Sequence, residues 1–169
     1  LTVLVALMAR YGEGLAWSDI GIKPVTWSAI PLAGALALFF IFAFGPFAAW
    51  VLTELHLGSF DPERASFAAL PTRYLSLTVI VVAACEEWLY RAYAIERLEA
   101  ITGRTWFAAS ASLLAFVVAH LPLWGPGVAL TTVVSGGILT ALYVWRRDIA
   151  FLILAHILTD LYGLVVTMR

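Results

Sequence analysis

Read by hydropathy, the chain divides into long apolar runs separated by short polar ones. The run at 28–52, "SAIPLAGALALFFIFAFGPFAAWVL", carries no charge and as a helix is long enough to cross ~30 Å of hydrocarbon. Gly45-Pro46 predicts a kink within it, which membrane helices tolerate. Residues 53–73, "TELHLGSFDPERASFAALPTR", hold turn formers and charges and read as a loop with one amphipathic turn. A long helix follows, from about Thr72 to about Ile101. Its first half is apolar, its second half ("EEWLYRAYAIERLEA") alternates charges with aromatics, and Gly103 is its stop signal. From Thr105 to Trp145 the only ionisable side chain besides tyrosines is His120. That stretch is too long for one span, and "LPLWGPG" at 121–127 divides it into two. Arg146-Arg147-Asp148 form a tight turn into the last run, "IAFLILAHILTDLYGLVVTM", at 149–168.

The pattern predicts an all-α protein: a polytopic transmembrane helical bundle of five full spans, forming one domain over 1–169. Leu1–Met8 reads as the truncated end of an earlier helix, since the chain opens at Leu1 without a basic n-region or a small-residue cleavage site. Composition agrees. Hydrophobic residues make up 63% of the 169 and charged residues 12%, with mean hydropathy +0.95, against about 45–50% and 25% in soluble domains. A formal net charge of −1 offers no basic surface to nucleic acid. The one cysteine, Cys85, excludes an internal disulfide.

Lys and Arg set the expected orientation. The connections at 10–27, 91–105 and 145–149 carry Arg10, Lys23, Arg91, Arg97, Arg104, Arg146 and Arg147, and the opposite side carries Arg64, Arg73 and Arg169. The richer side is expected in the cytoplasm, for which the inner membrane of a bacterium is the natural setting.

Ionisable side chains within spans are costly and need a partner or a function. Here they are Glu86, Glu87, Arg91, His120, His156 and Asp160. Glu87 and Arg91 stand at i,i+4, a spacing that favours a salt bridge. Glu86 points about 100° away around an α-helix, leaving its carboxylate free. His156 and Asp160 are also i,i+4 and share a face. His120 follows Phe116 by four residues. Counted at ~1.5 Å per residue from the expected cytoplasmic helix ends, Glu86 lies at ~16 Å, His156 at ~10 Å and His120 at ~22 Å. These depths do not coincide, so helix rise alone does not predict convergence. Taken singly, each residue has a plain structural reading: a salt bridge, or an interhelical hydrogen bond.

Together, Glu-Glu-x-x-x-Arg at 86–91, Phe-x-x-x-His at 116–120 and His-x-x-x-Asp at 156–160 form an ordered set. This set resembles the CPBP family of intramembrane proteases, also called the Abi or CAAX-processing type II family. That family's last motif ends in Asn or Asp, and "GEGLAWSDIGI" at 12–22 is similar to its juxtamembrane segment. The resemblance implies an intramembrane endopeptidase acting near the C-terminus or membrane boundary of a peptide or membrane-anchored substrate. Glu86 and His120 would hold and deprotonate the attacking water. His156 and Asp160 would bind the oxyanion or orient the carbonyl, and Glu87, Arg91 and Phe116 would support them.

The sequence lacks His-Glu-x-x-His, Gly-x-Ser-x-Gly and Gly-x-Gly-Asp, the signatures of three other membrane protease chemistries. Cys85 adjoins Glu86, but a thiol in apolar surroundings is inert. Glu86, His120, His156 and Asp160 also make up a donor set suited to zinc with one open position. Metal-free water activation is the favoured expectation, because no two histidines stand at a chelating i,i+4 spacing on one helix. Two further classes compete: a non-enzymatic immunity or scaffold protein, which would predict decayed motifs, and a small proton-coupled transporter, which would predict internal repeats. The motifs are intact and no repeat is visible.

Overall fold

The computed structural model describes residues 2–57, 67 and 69–166. Arg64, Arg169 and, within the expected loop at 53–73, residues 58–66 and 68 lie outside the described residues. Among those described, every regular element is helical.

Helix α1 is Thr2–Gly12, with a π-helical last turn at Met8–Gly12, and a 3₁₀ turn follows at Trp17–Ile20. Helix α2 is Ala29–Glu54, and its expected kink takes the form of a π-helical turn at Phe40–Phe44 just before Pro46. Proline has no N–H to donate and its ring crowds the carbonyl four residues earlier; a widened turn relieves both problems. Gly45 belongs to the same solution, because a Cβ there would lie 2.9 Å from the Phe40 carbonyl oxygen.

Helix α3 is one continuous rod built from Thr72–Glu86 (α), Glu87–Tyr93 (π) and Ala94–Thr102 (α). Gly103 ends it at φ 65°, donating its N–H to the Glu99 carbonyl. Helices α4, Thr105–Pro122, and α5, Trp124–Arg146, join at Gly125, whose φ of 73° and ψ of 175° break the helix between Pro122 and Pro126. The two return along each other. Leu113 and Phe116 of α4 crowd Gly136 of α5 so closely that a Cβ would meet them at 3.1 Å. Helix α6, Ile149–Val166, starts from Asp148, which accepts the Phe151 N–H.

By length and composition, α2, α4, α5 and α6 can each cross a membrane. Helix α3 is longer than any of them but carries Arg73, Glu86, Glu87, Arg91, Glu96, Arg97 and Glu99. Large apolar residues such as Phe42, Phe47, Trp50, Trp106 and Trp145 are exposed on the outside of the bundle, as expected where lipid is the solvent. Inside, Ala29, Ala33, Ala92 and Ala155 are buried in one core with Leu139, Tyr143 and Leu152. Small residues let membrane helices approach closely, and α6 packs along α2 in this way. Helix α3 touches both α6 and the α4–α5 hairpin.

The 12–22 segment is fastened to α3 at three points, one of them the partly exposed Arg97–Glu13 ion pair. The Trp88 indole N–H donates to the Ile20 carbonyl at 3.2 Å. Gly21, at φ 78°, lies so near α3 that a Cβ would stand 2.5 Å from the Ala92 Cβ. Only glycine meets both conditions.

Arg91 requires a correction. Counted above in the 91–105 connection, it is instead 1% exposed within α3, so six basic residues remain on that side. Glu87 explains the difference: a buried carboxylate holds the guanidinium inside the bundle.

Candidate active site

The π-helical turn at Glu87–Tyr93 governs the site. Hydrogen bonds to the fifth residue widen a helix locally, a feature frequent at functional sites. Glu86 is the last α-helical residue before the turn and Glu87 the first within it. Glu87, 0% exposed, faces Arg91 with Oε1 3.3 Å from Nη1. The other face of the Arg91 guanidinium rests on the Phe116 ring, 3.9 Å from its centroid, a cation–π contact that gains strength where water is excluded.

Glu87 also reaches across to α6. Its Oε1 lies 2.8 Å from His156 Nδ1, while His156 Nε2 is 3.3 Å from Asp160 Oδ2. With a carboxylate facing each nitrogen, the imidazolium is the form in which both nitrogens donate. The four groups then balance: two carboxylates against one guanidinium and one imidazolium. Balance is not saturation. Glu87 Oε2 and Arg91 Nη1 and Nη2 are buried without a hydrogen-bond partner among the described residues.

Glu86 stands outside this balance. It is half-buried and takes no hydrogen bond from any described residue, yet it lies within electrostatic reach of His156, His120, Asp160 and Glu87. His120 Nδ1 is 2.8 Å from the Phe116 carbonyl oxygen. A carbonyl only accepts, so Nδ1 carries a proton, and in the neutral ring the lone pair is then on Nε2. The Phe116 ring, 4.3 Å from the imidazole, holds that orientation. Phe116 therefore sets both Arg91 and His120.

The structure brings Glu86, His120, His156 and Asp160 into one neighbourhood, despite the ~12 Å spread that uniform helix rise implied. The π-helical turn at 87–93 changes the rise only on the way to Glu86; the stretches leading to His120 and His156 are α-helical, so it is the packing of α3, α4 and α6 that brings these residues together. The Glu87–Arg91 and His156–Asp160 pairs form as their spacing suggested. The Glu87–His156 bond was not legible, because it joins two helices 69 positions apart. No three His, Cys, Asp or Glu side chains among the described residues are grouped as metal donors, and both His156 nitrogens already face carboxylates. Two apolar grooves, about 360 Å³ between α4 and α5 and about 440 Å³ between α2 and α6, lie outside this cluster.

A second charged cluster closes the end of the bundle where α3 meets the 146–148 turn. Arg147 binds Glu96 at 3.0 Å and Glu99 at 2.6 Å. Tyr143 donates to Glu96 at 2.8 Å and Thr105 donates to Glu99. The Thr105 hydroxyl, and then Arg147, hold the Glu99 carboxyl below its usual range. Burial alone would lower Arg147, but its bonds to Glu99 and Glu96 outweigh that and raise it.

No curated protein and no solved structure matches this chain. A family model does, over residues 68–162. That is more than half of the chain, and it contains Glu86, Glu87, Arg91, Phe116, His120, His156 and Asp160. The chain therefore belongs to the Rce1-like family of type II CAAX prenyl endopeptidases, multi-pass membrane peptide hydrolases acting on peptide or membrane-anchored substrates.

Proposed function

We propose that the protein hydrolyses a peptide bond near the C-terminus or membrane boundary of a membrane-anchored substrate, with Glu86 and His120 activating water and no metal taking part. The observation that carries this reading is the Glu86 carboxylate, unpartnered among the described residues and within reach of both imidazoles. His120 Nε2 accepts one hydrogen of the water, and Glu86 removes the other as the oxygen attacks the scissile carbonyl carbon. A carboxylate away from bulk water suits that task. The C–N bond then breaks as Glu86 passes its proton to the leaving amine. The positive charge on His156, held by Glu87 and Asp160, favours the negative charge that develops on the carbonyl oxygen. The same two contacts occupy both His156 nitrogens and so support metal-free chemistry. The remaining excess of Lys and Arg at the 10–27, 94–105 and 145–149 end supports a cytoplasmic placement of that end, in a bacterial cell membrane.

The test is cleavage of a fluorogenic farnesylated peptide ending in a CAAX tetrapeptide by the protein in proteoliposomes. Glu86→Gln is expected to lower kcat about 10³-fold and leave the melting temperature in detergent unchanged; wild-type turnover in this variant would remove Glu86 from the mechanism. Activity is expected to survive prolonged strong chelation. Loss reversed by added zinc would replace the metal-free reading with a zinc mechanism.

A further inference from the structure

Hydrolysis as proposed above needs a directed donor for the oxyanion, and the donors around Glu86 are almost all spent. Both nitrogens of His156 point at carboxylates. His120 Nδ1 donates to the Phe116 carbonyl, and the Asp160 carboxyl is engaged with His156 Nε2 at 3.3 Å. The Ser112 hydroxyl goes to the Tyr90 carbonyl, that of Thr159 to Ala155, and the Trp88 N–H to Ile20. Arg91 Nη1 and Nη2 are unspent among the described residues, but at 1% exposure the guanidinium is sealed between Glu87 and the Phe116 ring, away from any substrate.

Tyr90 is the exception. It stands one turn after Glu86 on α3, within the π-helical turn. Its ring meets the Phe116 ring edge-on at 5.1 Å, the same ring that seats Arg91 and His120, and Ser112 holds its backbone carbonyl. Two neighbours therefore fix its position. The side chain is half-buried, and the hydroxyl donates to no described residue. It lies within electrostatic reach of Glu86 and Arg91.

We infer that Tyr90 is a further catalytic residue, whose phenolic O–H donates to the oxyanion formed when Glu86-activated water adds to the scissile carbonyl. The phenol keeps its proton throughout: it stabilises the tetrahedral oxygen and releases it when the C–N bond breaks. The assignment rests on the hydrolase reading given above.

Tyr90→Phe removes only the hydroxyl and keeps the ring on Phe116. With the farnesylated CAAX peptide in proteoliposomes, kcat is expected to fall about 100-fold, with KM and the melting temperature unchanged. A phosphinic peptide, whose P–O⁻ oxygen mimics the tetrahedral oxyanion, should bind the variant about 100-fold more weakly, while the matching uncleavable amide isostere binds as to wild type. A purely packing role moves neither ratio. Full turnover and unchanged phosphinate affinity in Tyr90→Phe, beside an inactive Glu86→Gln, overturn the Tyr90 assignment alone. A wild-type protein that cleaves no such peptide and discriminates neither analogue overturns the hydrolase reading and this assignment with it.

Discussion

Helix α3 carries two networks of charge, and they are built on opposite principles. The inner one joins Glu87, Arg91, His156 and Asp160, with Glu87 and Arg91 almost fully buried. The outer one joins Glu96, Glu99, Arg147, Tyr143 and Thr105, all partly open to solvent except Tyr143. Outside, Arg147 makes a hydrogen bond to each carboxylate, and each carboxylate takes a second bond from a hydroxyl. Inside, three polar atoms of the central pair have no hydrogen-bond partner among the described residues. A buried pair broken on one side leaves an uncompensated charge, whereas a solvent-facing pair lets water replace the lost partner. The inner network thus preorganises a site at some expense of saturation, and the outer one ties α3 to the α5–α6 turn.

Breaking the inner network should cost most. Glu87→Ala strands Arg91 and frees His156 Nδ1, so unfolding stability in detergent is expected to fall by about 3–5 kcal/mol, with cleavage lost as well. Thermal denaturation followed by a thiol probe on Cys85 measures it, and a wild-type melting curve would contradict the reading of Glu87 as the hub.

Arg147→Ala should cost less, about 1–2 kcal/mol, and should leave the pH-independent part of catalysis intact. This variant also carries a pH signature. The folded carboxyl of Glu99 lies below its ordinary value of 4.5, so its contribution is present above that pH and fades as pH falls through the lower folded value. Arg147 is shifted upward and stays charged throughout that window. Acid titration of stability should therefore be flatter in Arg147→Ala than in wild type. An equal slope in both would place the acid sensitivity elsewhere.

The smallest effect belongs to Arg97, which pairs with Glu13 where both are partly exposed. Arg97→Ala is expected to change stability by less than ~1 kcal/mol, diminishing further in high salt. A larger loss would show that the 12–22 segment hangs on this pair, and not on Trp88 and Gly21.

Much of this molecule follows from local rules. Hydropathy marked the apolar helices, Gly103 marked the end of α3, and the Pro-Gly cluster at 121–127 marked the reversal between α4 and α5. The i,i+4 spacing foretold Glu87–Arg91 and His156–Asp160, because neighbours on one helix are set by the helix itself. Glu86, Glu87, Arg91, His120, His156 and Asp160 were legible from their charge in an apolar context.

Contacts between helices were not legible in this way. The Glu87–His156 bond depends on how α6 lies against α3, and the partly exposed Tyr90 gains significance only once Phe116 of α4 is beside it. A fixed rise per residue separates Glu86, His120 and His156 in depth, and how α3, α4 and α6 pack against one another decides which of them meet. Which residues can touch along one helix is a property of the chain alone. Which residues meet across three helices depends on packing, kinks and register, and those are settled only when the apolar faces find one another.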